Sequence, residues 1–440
     1  MRTVLGYVCA EGGIDGLLER DGEAVLEALR GLPGGSELLE LARERPDLEL
    51  IGGATRDLLI GRSPRELDIV LAGDVAPVAR ELAARLGGDP DGATMHERFG
   101  TATVSWPQGR IDIATRRGES YAAPGALPDV RGGTAEEDLA RRDFTINTIA
   151  APLGGPGRGT LRMAPHALED LRAGRVRVLH ERSFIDDPTR LLRLARYRVR
   201  LGFELEQRTA ELAREALAGG ALATASGARI GGELRLALAE PDPIAALAEL
   251  GRLGVLEAVA PELALEEGLA RAALAAAPPD ARTQVLLLAC LIFAAAQSGE
   301  EGAETAIGEL LDELEFTAGD RQGALTAALG ADALLAELER AELPSQLAQA
   351  LAGASVEAIV LAGALGRLRS RERPAEAARR WLAELRHVRL RIDGEDLLAA
   401  GVPAGPEVGR RLGAAMAMRL DGVLGDTAKE QLNAALEDST

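Results

Sequence analysis

The chain has 440 residues with 50 basic and 69 acidic side chains, a net charge of −19 that excludes a uniformly basic nucleic-acid coat but not a local basic groove. Hydrophobic residues at 47% and charged residues at 27% fit a globular chain rather than a disordered one, and aromatics at 2% exclude rows of base-stacking rings. Lys429 is the only lysine, so arginine supplies nearly every cationic contact. Cys9 and Cys290 are the only cysteines, too few for a disulfide scaffold or a cysteine zinc cluster. At roughly 100–200 residues per domain the length allows two to four domains. The start has no convincing signal-peptide cleavage site, and the longest apolar run, Val285–Ala296, is shorter than the ~20 residues of a spanning helix. A cytoplasmic chain without membrane partners is expected.

In chain order, a helix is predicted from Ser36 to Arg45, then a short strand from Leu48 to Ile51 running into Gly52-Gly53. Thr55–Ile60 reads as a helix start, broken by Gly61 and Pro64. Leu67, Ile69 and Leu71 alternate with their neighbours as a strand does, and a helix follows from Val75 to Leu86. Thr101–Ser105 and Arg110–Ala114 are further strands. Pro152–Gly159 reads as a Gly/Pro linker. From Pro188 onward the pattern is almost wholly helical, so the fold class is α+β: a mixed head followed by a long α-helical body.

Glu66 and Asp68 lie two apart on the predicted strand, so their carboxylates project to one face while Leu67 and Ile69 point to the core. Paired hard oxygens suit Mg²⁺, although an acidic pair on a strand is ordinarily a solvated face. Asp112 sits between apolar neighbours on another strand. Gly52-Gly53 stand where a strand meets a helix, so the backbone can approach a phosphate, and Arg56 can add a bidentate contact. A tight turn closed by Arg56 and Asp57 is the plainer reading. Arg141-Arg142-Asp143, with Asn147 four residues on, could set phosphate donors beside ribose partners, or form a charged helix start.

Asp187 before Pro188 marks a strong helix N-terminus. At about 100° per residue, Arg190, Arg193 and Arg196 then share one flank and Leu191, Leu192, Ala195 and Val199 the other. Such a row is either a solvated face or a nucleotide- and RNA-binding one. Nine arginines between Arg172 and Arg200 extend the basic character and are expected to form one basic stretch, with the surplus acid placed on the helical body.

Taken in order, Gly52-Gly53-Ala54-Thr55-Arg56-Asp57, Arg65-Glu66-Leu67-Asp68-Ile69-Val70, His96-Glu97-Arg98-Phe99-Gly100-Thr101-Ala102-Thr103, Arg141-Arg142-Asp143-Phe144-Thr145-Ile146-Asn147 and Asp186-Asp187-Pro188-Thr189-Arg190-Leu191-Leu192-Arg193 resemble the class II tRNA nucleotidyltransferase and bacterial poly(A) polymerase family. A weaker echo lies between Leu390 and Gly409. The resemblance runs from about Glu49 to Glu240 and implies a polymerase-beta-like head followed by an all-α neck, body and tail. It divides the chain into a partly helical extension (1–44), a catalytic head (45–160), a helical neck with base- and RNA-binding elements (161–245), and a tRNA-binding body and tail (246–440). By position it implies Glu66, Asp68 and Asp112 as ligands of a two-Mg²⁺ site, and Gly52, Gly53 and Arg56 at the triphosphate. Arg141 or Arg142 would meet phosphate, with Asp143 and Asn147 near the ribose. Asp187 and Arg190 would read the incoming base, lined by Arg193 and Arg196.

The implied reaction is template-independent addition of C and/or A to the 3′ end of tRNA from CTP and ATP, with release of pyrophosphate. The implied partner is the tRNA acceptor arm, and no DNA is expected. Glu66 stands where the family usually has Asp, and Asp186 where it usually has Glu. A bacterial poly(A) polymerase is the first alternative, against which stand the acidic C-terminus and the string at His96. A non-catalytic RNA-binding relative is the second, against which stand Asp68, Asp112 and the intact Gly-Gly and Arg-Arg-Asp elements. CCA, CC-only and A-only addition are left open, as is oligomeric state, and residues 1–35 match no family motif.

Overall fold

A computed structural model describes residues 22–87, 93–96 and 100–437. Two compact units meet after Ser226, inside the segment expected to be the neck.

The first unit is built on a mixed six-stranded sheet. Its strands are β1 Glu49–Ile51, β2 Leu67–Leu71, β3 Ala93–His96, β4 Thr101–Trp106 and β5 Gly109–Thr115. After a separate hairpin of β6 Arg117–Ser120 and β7 Asp129–Gly132, β8 Ala150–Pro152 completes the sheet in the order β3-β4-β5-β2-β1-β8. Period-two alternation decides which residues face the core: Leu67, Ile69, Ile111 and Ile113 are at most 5% exposed. β2 and β5 are parallel neighbours with Asp68 opposite Asp112. The face bearing these acids also carries Val70 and Ala114, which pack with Ile51, Ala150 and Leu139. Leu139 belongs to the helix Ala135–Ala140, so that small apolar cluster brings Arg141 and Arg142 to the acidic end of the sheet. Helix Ala76–Arg85 buries Val78, Ala79 and Leu82 and packs on β4.

The predicted elements through β5 are present within one or two residues. The segment 152–159 is not a linker. Pro152 pairs with Glu49 at the sheet edge, Leu153 is 1% exposed, and the Leu153 N–H donates to Leu48 O at 2.9 Å. A Cβ on Gly154 would lie 2.1 Å from Ala42 O. The Gly/Pro density there serves close packing against helix Gly35–Glu44, not separation of domains. The helix after Asp187 also begins later than expected, at Arg190. Its entry is a tight turn with i→i+3 bonds from Arg190, Leu191 and Leu192 to Asp187, Pro188 and Thr189. Hairpin β6–β7 escaped the sequence reading because Asp129–Gly132 is exposed throughout and carries no apolar alternation.

The second unit is helical. Its apolar run lies in helix Thr283–Ala296, where Val285 to Phe293 are all buried. Among the described residues no helix is long and apolar enough to cross a membrane. Ile392, Leu397, Val402, Ala415 and Ala435 form a separate small core near the C-terminus. Of the formal charge, Gly227–Thr440 holds 20 basic and 34 acidic residues, against 30 and 35 in Met1–Ser226. The acid surplus is therefore concentrated in the helical body.

Candidate active site

Glu66, just before β2, Asp68 on β2 and Asp112 on β5 converge: each offers a carboxylate oxygen within 4.8 Å of the others. Parallel register places Asp68 and Asp112 side by side, and the two-residue period adds Glu66 to the same face. Burial, then repulsion from Glu66 and Asp112 against partial relief from Arg142 and Arg110, pushes the Asp68 carboxyl up to about 7. Asp112 accepts hydrogen bonds from Thr103 Oγ1 at 2.6 Å and from Arg110 Nε at 3.0 Å. An oxygen-only donor set under mutual repulsion is the chemistry that a hard divalent cation relieves, so these residues fit one.

Gly52 sits beside this cluster with φ 72° and ψ −134°, and its N–H donates to Ile149 O at 3.1 Å. A Cβ there would lie 3.0 Å from Arg142 Nη1 and 4.0 Å from Asp68 Oδ2. The turn thus leaves room for Arg142 next to the acids. Gly53 opens the helix Gly53–Leu59. Arg56, expected at the triphosphate, is 1% exposed and committed elsewhere. Its Nε donates to Asp57 Oδ1 at 2.8 Å and its Nη1 to Asn147 Oδ1 at 2.5 Å, while the guanidinium lies 5.5 Å from the Tyr197 ring centre. In this conformation it is a strut rather than a phosphate ligand.

Asn147 passes the order on, donating through Nδ2 to Asp143 Oδ1 at 2.9 Å. The same oxygen accepts the Phe144 N–H at 2.8 Å. Beneath them Thr145 Oγ1 donates to Asp170 Oδ2, which also accepts Arg177 Nε. Phe144 meets Tyr197 edge-on at 5.8 Å.

Two residues that the sequence did not single out hold the arginine pair. Asp138 is 1% exposed; its Oδ1 accepts Arg141 Nη2 at 2.7 Å and its Oδ2 accepts Arg142 Nη2 at 3.0 Å. Burial alone would raise the Asp138 carboxyl, but the charges and hydrogen bonds of Arg142 and Arg141 outweigh it and hold the carboxyl below its usual range. Glu119 on β6 accepts Arg141 Nη1 at 3.1 Å and also pairs with Arg117. A run of acids just before Arg141 was the available signal, since Asp138 lies one helical turn from both arginines.

Around Asp187 the structure departs from a solvated arginine face. Arg190 is 3% exposed and Arg196 7%, while the Arg193 side chain is 34% exposed. Asp187 Oδ1 accepts the Thr189 N–H at 3.1 Å and Thr189 Oγ1 at 2.5 Å, which fixes the carboxylate. Arg190 Nε stands 3.9 Å from Asp187 Oδ2, its Nη1 donates to Ser183 Oγ and its Nη2 to Arg141 O, both at 2.7 Å. Arg193 Nη1 lies 3.9 Å from Asp143 Oδ2. A chain of contacts therefore runs from Arg142 through Asp138 and Arg141 to Arg190, and the Arg142 charge acts on Asp68. The expected basic stretch is partly neutralised, because Arg177, Arg182 and Arg198 pair with Asp170, Asp186 and Glu204. Of the string at His96, Glu97, Arg98 and Phe99 lie outside the described residues, as do residues 1–21.

A mixed sheet presenting a carboxylate triad beside a glycine turn, continued into a helical segment, defines the class: a nucleotidyltransferase head with a helical extension. The comparisons with known proteins agree. Residues 48–177 match the poly A polymerase head domain, and residues 202–266 match the probable RNA and SrmB-binding site of polymerase A. These two segments of the chain are thus similar to the head and RNA-binding domains of the poly(A) polymerase family. An A-adding tRNA nucleotidyltransferase of Halalkalibacterium halodurans is 43% identical over 222 residues, covering 50% of this chain and 51% of that protein. A CC-adding tRNA nucleotidyltransferase of Deinococcus radiodurans is 40% identical over 205 residues, covering 46% and 53%. The solved structure of a CCA-adding enzyme in apo form II matches with TM-score 0.74 and 28% identity over 95% of this chain and 98% of that one. The chain spans between about a quarter and about half of the length of the first curated relatives it matches, at 27%, 51% and 23%.

Proposed function

We propose that the chain is a template-independent tRNA nucleotidyltransferase that adds C and/or A to the 3′ end of tRNA from CTP and ATP, releasing pyrophosphate. The observation that carries this reading is the carboxylate triad in the same unit as the Asp187–Arg190 pair, with the Arg142 charge felt at Asp68 and Arg141 O holding Arg190; this supports a phosphoryl-transfer centre beside a base-reading group.

Glu66, Asp68 and Asp112 would hold Mg²⁺, at two sites in the full reading. Bound there, Mg²⁺ would lower the pKa of the RNA 3′-hydroxyl and offset charge on the triphosphate and the departing pyrophosphate. The chain's own residues do the rest. Arg142, whose Nη1 lies close to Gly52, would meet a phosphate of the nucleotide. Asp143 and Asn147, locked by Arg56 and Phe144, are set to bind ribose hydroxyls. Asp187 accepts from the exocyclic amine of C or A while Arg190 donates to a ring acceptor; U and G have no amine donor at that position. Arg193 and Arg196 line the same site.

Pyrophosphate release tests the reading. The purified chain with Mg²⁺, CTP and ATP should release pyrophosphate only when tRNA lacking its 3′ terminus is present. Release at equal rate with an arbitrary single-stranded RNA and ATP alone would instead assign poly(A) polymerase activity.

A further inference from the structure

Ser183 belongs to none of the elements that carry chemistry in the sequence, yet it touches both members of the base-reading pair. It opens the short helix Ser183–Asp186, directly before Asp187, and is 0% exposed. Its carbonyl oxygen accepts the Asp187 N–H at 3.2 Å, and its hydroxyl oxygen accepts Arg190 Nη1 at 2.7 Å. The other guanidinium nitrogen, Nη2, is held by Arg141 O from the segment that carries Asp143 and Asn147. Arg190 is thus pinned at two points, one in the turn that presents Asp187 and one in the ribose-side segment. Arg190 Nε, by contrast, is buried without a hydrogen-bond partner.

We propose that Ser183 is a positioning residue for nucleotide selection: its hydroxyl fixes the plane of the Arg190 guanidinium, so that Arg190 and Asp187 meet the incoming base in one geometry. This rests on the reading of Arg190 as the base-reading arginine. The physical reason is preorganisation. A guanidinium with one anchor can swing about that anchor, and a swinging donor loses the directional difference between a base with a matching acceptor and one without. Removing the hydroxyl also leaves Nη1 unpaired in a closed site, so the side chain must seek another partner.

The test is single-nucleotide incorporation with all four triphosphates, reading kcat/KM for the preferred nucleotide over that for UTP and GTP, together with the thermal midpoint. Ser183→Ala removes the hydroxyl. Ser183→Cys keeps nearly the same volume but offers a poor acceptor. Both are expected to narrow the preference about tenfold, the worth of roughly one hydrogen bond. Arg190→Lys, which cannot span both anchors, should narrow it as well and needs no change at the 0% exposed position. If the alanine variant narrows the preference and the cysteine variant does not, the effect is packing and the proposal fails. If Arg190→Ala narrows it and neither Ser183 variant does, the proposal fails while the base-reading role stands. If Arg190→Ala itself leaves the preference unchanged, the base-reading assignment falls and the role of Ser183 with it.

Discussion

Replacing Asp138 by Asn probes the internal frame of the site without touching the triad. The carboxylate is 1% exposed and divides its oxygens between Arg141 and Arg142. An amide keeps one acceptor and turns two N–H groups toward one of the arginines, so a charge-assisted bond is lost and a donor faces a donor. Removing one partner of a fully buried ion pair costs about 3–5 kcal/mol. Here the arginine side chains retain 16% and 17% exposure and can recover some hydration, which places the cost lower, at about 2–3 kcal/mol. For a unit of this size that is a fall of roughly 5–10 °C in melting temperature. The pH dependence has a definite sign. The folded carboxyl titrates below 3.8, so its stabilisation is present above that pH and is lost as pH falls through the depressed folded value. Urea unfolding at pH 7 and at stepwise lower pH should therefore show a gap between the two proteins that shrinks below about pH 4. A gap under 0.5 kcal/mol at pH 7, the range of ordinary surface changes, would refute the claim that Asp138 holds the arginine pair, as would one independent of pH.

Asp68→Ala and Asp112→Ala should abolish nucleotide addition with the head still folded by circular dichroism, since each removes a ligand rather than a core contact; more than a few per cent residual rate at saturating Mg²⁺ would refute the triad. Asp68→Asn should raise the melting temperature of the metal-free protein at pH 8 while abolishing activity, because burial and like charge penalise the ionised form as pH rises from 3.8 through about 7. Glu66→Asp should retain activity in steady-state assays. Gly52→Ala, with φ 72° and a Cβ 3.0 Å from Arg142 Nη1, should cost about 1–3 kcal/mol and raise the nucleotide KM by displacing that arginine.

The sheet strands that carry the acids were legible because their side-chain period is local: Leu67 and Ile69 mark the core face, which leaves Glu66 and Asp68 together on the other. Parallel pairing of β2 with β5 was not legible, since nothing within either strand states its neighbour. Arg56 shows the limit most clearly. Beside two glycines it reads as a phosphate ligand, but its partner Asn147 lies 91 positions away and draws it into the core. The Arg190 row shows the converse. Its helical flank was legible, whereas the inward turn of Arg190 depends on Arg141 O, 49 positions away, and on Ser183. For Arg190→Ala, an inference from helix position alone is normal folding. The structure corrects this, because the change leaves buried acceptors on Ser183 and Arg141, so a stability loss of about 1–3 kcal/mol should accompany the loss of selectivity.

Sequencing RNA 3′ ends after reaction tests the central claim most directly. Purified protein would be given tRNA lacking its terminus, and tRNA ending in CC, with CTP and ATP together and separately, in Mg²⁺ and in EDTA. Short, defined additions of C, of A, or of CCA are expected, stopping at the mature end and vanishing in EDTA. Long homopolymeric A tails on either RNA, or defined ends that form equally well with Asp68→Ala, would contradict it.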